Sequence, residues 1–135
     1  MSDETKIKGM GAIPHPGGVA FRVWAPHAER VSVIGSFNGW DSGKHPMNAE
    51  ENGNWYADVT EANIGDQYKF LLTTATGDYK RIDPYAREVT SSVGNAIVHD
   101  TKFDWGGDDF HLAPCNELAI YELHVGTFKI GRAHV

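Results

Sequence analysis

Short apolar alternations, each broken after a few residues by Gly, Pro, Asn or Asp, leave this chain little choice but a small antiparallel sheet structure. The segment GVAFRVWA sets Val19, Phe21 and Val23 on one face and Ala20, Arg22 and Trp24 on the other, the two-residue period of a half-buried strand, before Pro26 stops it. RVSVIGSF alternates through Val31 and Val33, and NWYADV opposes Trp55, Ala57 and Val59 to Tyr56 and Asp58. In QYKFLLTT, Tyr68, Phe70 and Leu72 face away from Lys69 and Leu71. ATGD then supplies turn chemistry before YKRID, and NAIVHD follows Gly94. Strands at this spacing predict an all-β, immunoglobulin-like antiparallel β-sandwich. Trp24 and Trp55 are assigned to its core or to a domain interface.

Composition removes several classes of function. At 135 residues, 41% of them apolar, the chain is long enough for one domain with a core. A net charge of −6 without a Lys/Arg cluster argues against nucleic acid as a partner. The single Cys115 rules out an internal disulfide framework, and the seven His lack the short spacing of a compact metal site, so neither metal nor cofactor is expected. The opening MSDETK, with no apolar run after it, predicts neither signal peptide nor membrane span, which makes the cytoplasm the simplest location.

The character of the chain changes near Thr101. TKFDWGGDDFHLAPCNE is irregular and rich in Asp, Gly and Pro, and the LAIYELHVGTF that follows reads as a strand buried on both faces, of the kind found in parallel sheets. The closing IGRAHV is also the translation of a common sequencing-adapter string, so residues 129–135 are set aside. The expected organisation is an N-terminal tail (1–17), a β-sandwich (18–100), a linker (101–117) and the first strand of a further domain (118–128). That strand, with Leu118, Ile120 and Val125 uncovered, is expected to promote aggregation.

FRVWAP, VSVIGSFNGWDSGKHPM, GDQYKF, RIDPYA and IYELHVGTF, in this order, resemble the N-terminal portion of α-1,4-glucan branching enzymes and related members of glycoside hydrolase family thirteen. The resemblance covers Gly18 to Phe128. It implies a carbohydrate-binding β-sandwich ahead of a (β/α)₈ barrel, with α-1,4-glucan and the chain's own barrel as partners. In that family the catalytic Asp and Glu come from later barrel strands, so the resemblance implies no glycosidase or branching activity for residues 1–128. Debranching enzymes and trehalohydrolases share the module and remain alternatives.

Sites carry the function. GSFNGWDSGKHPM places a Trp among turn formers, and a flat indole can cover the C–H face of a sugar ring while polar neighbours bind its hydroxyls. GSFNGW, QYKF and the segment from Val93 to Asn95 resemble the glycogen-binding modules of AMP-activated kinase β subunits. That resemblance carries a stacking role onto Trp40, hydroxyl binding onto Lys69 and, on a shorter segment, onto Asn95. The second stacking Trp of those modules has no counterpart, and Tyr79 is the nearest aromatic substitute. The bland alternatives are that Trp40 is a lid over the sandwich edge, Lys69 a solvated strand residue, Tyr79 a cross-strand partner and Asn95 a turn residue, leaving the sandwich a structural flank of the barrel.

Overall fold

The computed structural model describes residues 6–124. The chain divides into two units, Met1–Lys102 and Phe103–Val135. In the first unit the strands run β1 (Gly11–His15), β2 (Gly18–Trp24), β3 (Arg30–Gly35), β4 (Asn48–Ala49), β5 (Asn54–Val59), β6 (Gln67–Thr74), β7 (Gly77–Arg81), β8 (Glu88–Val89) and β9 (Ala96–Ile97). They form two antiparallel sheets, ordered β1-β2-β5-β4 and β3-β6-β9-β8, with β7 also paired to β6.

The alternations decide what fills the space between the sheets. Val19, Phe21 and Val23 of β2 and Ala57 and Val59 of β5 meet Val31 and Val33 of β3 and Tyr68 and Phe70 of β6 in one apolar cluster. Phe21 is its centre: its ring lies 5.0 Å from that of Tyr68, edge to face, and 6.5 Å from that of Phe70. Burying each such side chain contributes about 1.5–3 kcal/mol. Trp55 is half-buried against this cluster and donates its indole N–H to the Ala25 carbonyl at 3.0 Å. Trp24 corrects the core assignment: it is 61% exposed. The two-residue period had already set it beside Arg22 on the outer face.

The first sheet starts before Gly18. Strand β1 occupies part of the segment expected to be a tail and pairs with β2 from Gly11 opposite Arg22 to His15 opposite Gly18. Pro14 hides this strand in the sequence, yet an edge position tolerates a proline. Ahead of β1, residues 7–9 are strapped to the outer face by Arg22, whose guanidinium donates to the Ile7 and Gly9 carbonyls at 2.7 Å each and to Glu50 Oε2 at 2.7 Å. The same guanidinium lies over the Tyr56 ring, 4.6 Å from its centroid.

The Arg22 hydrogen bond, reinforced by Lys6, holds the Glu50 carboxyl below its ordinary value of 4.5. The stabilisation is therefore complete above that value and is lost as pH falls through the lower folded one. Glu50→Gln is expected to cost about 1 kcal/mol at pH 7 and to match the parent chain in strong acid, as urea denaturation at the two pH values would show.

In the second unit the described residues hold one short 3₁₀ turn, Cys115–Glu117, and Phe103 sits edge-on to Trp105 with centroids 4.8 Å apart. Leu118 to His124 form no strand, and Val125 to Phe128 of the expected barrel strand, like residues 129–135, lie outside the described residues. No helix among the described residues is long and apolar enough to cross a membrane.

Candidate binding face on the second sheet

Strand β3 lies at the edge of its sheet, and an edge strand exposes a row of unpaired backbone groups. Here the loop that follows β3 folds back and satisfies that row. The Met47 N–H donates to the Val31 carbonyl at 2.8 Å, and the Val33 N–H donates to the His45 carbonyl at 3.1 Å. Asn38 supplies the next two partners from its side chain: Nδ2 donates to the Val33 carbonyl and Oδ1 accepts from the Gly35 N–H, both at 3.0 Å. The Trp40 N–H closes the series on the Gly35 carbonyl at 2.9 Å. Trp40 therefore hangs from the edge of the sheet.

Local chemistry explains the shape of this loop. A Cβ on Gly35 would meet the Gln67 carbonyl oxygen at 2.4 Å, so only glycine lets the end of β3 press against β6. Gly39 and Trp40 both adopt left-handed backbone, with φ of 67° and 62°. Such a conformation is uncommon for a residue as large as Trp and is held here by the bond to Gly35. Asn38 is 3% exposed, and its Nδ2 also reaches His45 Nδ1 at 2.9 Å, so both polar atoms of its amide are engaged. Trp40 itself is 38% exposed.

The register then sorts the remaining predicted residues. Lys69 stands opposite Ile34, one row from the Gly35–Tyr68 pair, on the face of β6 turned away from the core. Among the described residues its ammonium has no ion-pair partner. The β6–β9 ladder pairs Gln67 with Ile97 and Tyr68 with Ala96, so Asn95 follows next, beside Lys69. Asn95 Nδ2 donates to Gln67 Oε1 at 2.8 Å, and its backbone N–H is held by Thr90 Oγ1 at 2.8 Å. Trp40, Lys69 and Asn95 thus gather at one end of the sheet. Gln67, which orients the Asn95 amide, is the member that sequence reading missed, although it sits in the same QYKF segment.

Tyr79 does not join them. It pairs with Leu72, and Arg81, two residues on, pairs with core residue Phe70. Directly opposed residues share a face, so Tyr79 points to the other side of the sheet from Lys69. Its ring lies under the Arg81 guanidinium at 4.9 Å and its hydroxyl bonds Thr76 Oγ1 at 3.1 Å. The two-residue turn between Thr74 and Gly77 fixes this register and gives the position opposite Leu71, on the site's own face, to Lys80. Farther along that face, Arg30, Ser32, Leu71, Thr73 and Asp78 line a groove of about 400 Å³ walled by Ser42. No group of His, Cys, Asp and Glu among the described residues is arranged to hold a metal ion.

Two antiparallel sheets, with an aromatic hung from one edge beside a polar face, define a small β-sandwich module of the kind that presents a surface rather than an enclosed pocket. The chain belongs to the carbohydrate-binding module 48 family (isoamylase N-terminal domain), whose model matches residues 9–86. It is similar to the 1,4-alpha-glucan branching enzyme GlgB of Corynebacterium jeikeium, 40% identical over 94% of this chain and 19% of the relative. It is also similar to GlgB of Thermosynechococcus vestitus, 35% identical over 82% of this chain and 16% of the relative. The chain therefore spans about a fifth or less of these proteins.

Among solved structures, a putative alpha amylase from Salmonella typhimurium superposes with a TM-score of 0.72 at 27% identity, over 93% of this chain and 20% of that one. PulA from Klebsiella oxytoca does so with 0.60 at 31% identity, over 69% of this chain and 10% of that one.

Proposed function

We propose that the sandwich holds α-1,4-glucan for a branching-type enzyme of cytoplasmic glycogen or starch metabolism, with Trp40, Lys69 and Asn95 as the binding residues. The observation that carries this reading is the register of β6, which sets Lys69 and Asn95 on one outward face in the row next to the Gly35 carbonyl that anchors Trp40. The indole covers the C–H face of a glucose ring, the Lys69 ammonium donates to its hydroxyls, and the Asn95 amide, held through Gln67, offers a further acceptor. The unit contributes binding, and the carboxylates that break and form glycosidic bonds belong to the barrel of the longer enzyme.

Magnitudes suit such a role. Covering about 100 Å² of sugar at about 25 cal/mol per Å² contributes on the order of 2.5 kcal/mol. Hydrogen bonds of about 1 kcal/mol each raise this to roughly millimolar affinity. On a polymer with many equivalent chain ends, weak contacts still concentrate the enzyme on its substrate.

Native electrophoresis with and without glycogen tests the reading. The chain is expected to be retarded by glycogen, Trp40→Ala to lose most of that retardation, and Lys69→Met to lose several-fold in retention. No retardation of the folded chain would favour a structural flank with Trp40 as an edge lid, and equal retardation of the chain and Trp40→Ala would move the binding residues away from Trp40. The likeness to PulA supports a second reading, a debranching parent, but the identities of 35–40% lie with branching enzymes.

A further inference from the structure

Trp24 ends β2 on the outer face of the first sheet, in line with Arg22, and is 61% exposed. Its plane is nevertheless fixed. The indole Nε1–H donates to the Asn52 carbonyl at 3.0 Å. Asn52 adopts φ 60° and ψ 24° in the turn Glu51–Gly53, a left-handed conformation uncommon outside glycine. The next residue, Gly53, is locked against Pro26, since a Cβ there would meet Pro26 Cβ at 2.6 Å, and the Ala25 N–H donates to the Gly53 carbonyl at 2.9 Å. Strained backbone persists where its surroundings over-determine it, and here it holds a carbonyl against an exposed ring.

The frame around the ring decides what it fits. Contiguous apolar patches of a few hundred Å² mark protein-docking surfaces. Around Trp24 the surface is polar instead: Asn54 is its ladder partner, Glu51 is exposed in the adjoining turn, and the Arg22–Glu50–Lys6 cluster lies on the same face. A flat apolar plate, pre-oriented and ringed by amides and charges, matches a sugar, whose C–H face stacks while its hydroxyls exchange hydrogen bonds around the rim.

We infer that Trp24 is a second α-glucan platform, on the opposite sheet from Trp40, and that the module grips branched glucan at two points. This rests on the glucan-binding reading of the module. The platforms lie on different sheets with the core of the sandwich between them, so two branches of one polymer engage both while an oligosaccharide stacked on one ring leaves the other free. Retention on glycogen then exceeds what one platform supplies, without any new contact.

Calorimetric titration of the 135-residue chain with maltoheptaose, beside native gels with glycogen, tests this. Two oligosaccharides are expected to bind per chain, falling to one in Trp24→Ala and to one in Trp40→Ala. Glycogen retention is expected to fall about tenfold in Trp24→Ala and to be largely kept in Trp24→Phe, which preserves a plate. Because the ring lies outside the core, Trp24→Ala should keep the circular dichroism of the parent. One oligosaccharide per chain, with glycogen retention lost in Trp40→Ala and unchanged in Trp24→Ala, overturns the second platform and leaves the first intact. A folded chain that binds neither maltoheptaose nor glycogen overturns both. A Trp24→Ala variant whose oligomeric state changes on gel filtration while its stoichiometry does not would make the ring a contact between copies and overturn the inference.

Discussion

Replacing Tyr68 with Phe is expected to cost the sandwich about 3 kcal/mol at pH 7, although the ring and its core contacts are kept. The loss comes from Asp83, which is 3% exposed. Its Oδ2 accepts from the Tyr68 hydroxyl, its Oδ1 accepts from the Tyr85 N–H at 2.8 Å, and its carbonyl accepts from the Ala86 N–H at 3.1 Å. The carboxylate thus ties the turn after β7 to the start of β6. Without the hydroxyl, a buried charge retains one side-chain partner.

Acid should narrow the difference. Burial holds the Asp83 carboxyl above its ordinary value of 3.8, while the Tyr68 hydroxyl and the Tyr85 amide pull it back down. The folded chain therefore keeps its proton to higher pH than the unfolded chain does. The contribution of Asp83 to stability is full below the ordinary value and is lost as pH rises through the folded one. Tyr68→Phe removes one of the lowering partners, so the folded value climbs further and the loss extends to higher pH. Urea denaturation at pH 7 and near the ordinary value should show a wide gap between parent and variant in the first and a gap of about 1 kcal/mol, one neutral hydrogen bond, in the second. A gap independent of pH would mean that the carboxyl is neutral throughout.

The two-residue alternations of β2, β3, β5 and β6 were legible in the sequence because burial on one face imposes them. The two-residue strands β4 and β8 were not, because so short a strand shows no period. Tyr79 shows the limit of reading by residue type. Its aromatic character suggested a stacking role, but its face is set by the Thr74–Gly77 turn and the pairing with Leu72, which send it to the other side of the sheet. For Trp24, assigned to the core or to a domain interface, exposure removes only the core. The alternation placed it with Arg22 on the polar face, and only the habit of burying Trp argued otherwise. Asn38 gave no signal at all, since an Asn in a turn-rich segment reads as a turn residue and its role on the edge of β3 depends on contacts the chain makes only once folded.

That role makes Asn38→Ala the most disruptive change available to the loop. The substitution removes at once the partners of the Val33 carbonyl, the Gly35 N–H and His45 Nδ1. Leaving buried polar groups unmatched costs about 1–3 kcal/mol each, and opening the loop to water recovers part of this. A net loss of about 3 kcal/mol is expected in urea denaturation. The route of recovery matters as much as the magnitude. Water reaches the edge of β3 only if residues 36–47 lift away, and the Trp40 N–H then gives up the Gly35 carbonyl that seats it. Glycogen retention should therefore fall in Asn38→Ala to the level of Trp40→Ala, even under conditions where the two sheets stay folded. Asn38→Asp should fail as well, because it sets a carboxylate oxygen against the Val33 carbonyl where a donor is needed. A variant that loses stability yet retains glycogen would show that Trp40 keeps its place without the edge, and the binding site would have to be rebuilt from Lys69 and Asn95 outward.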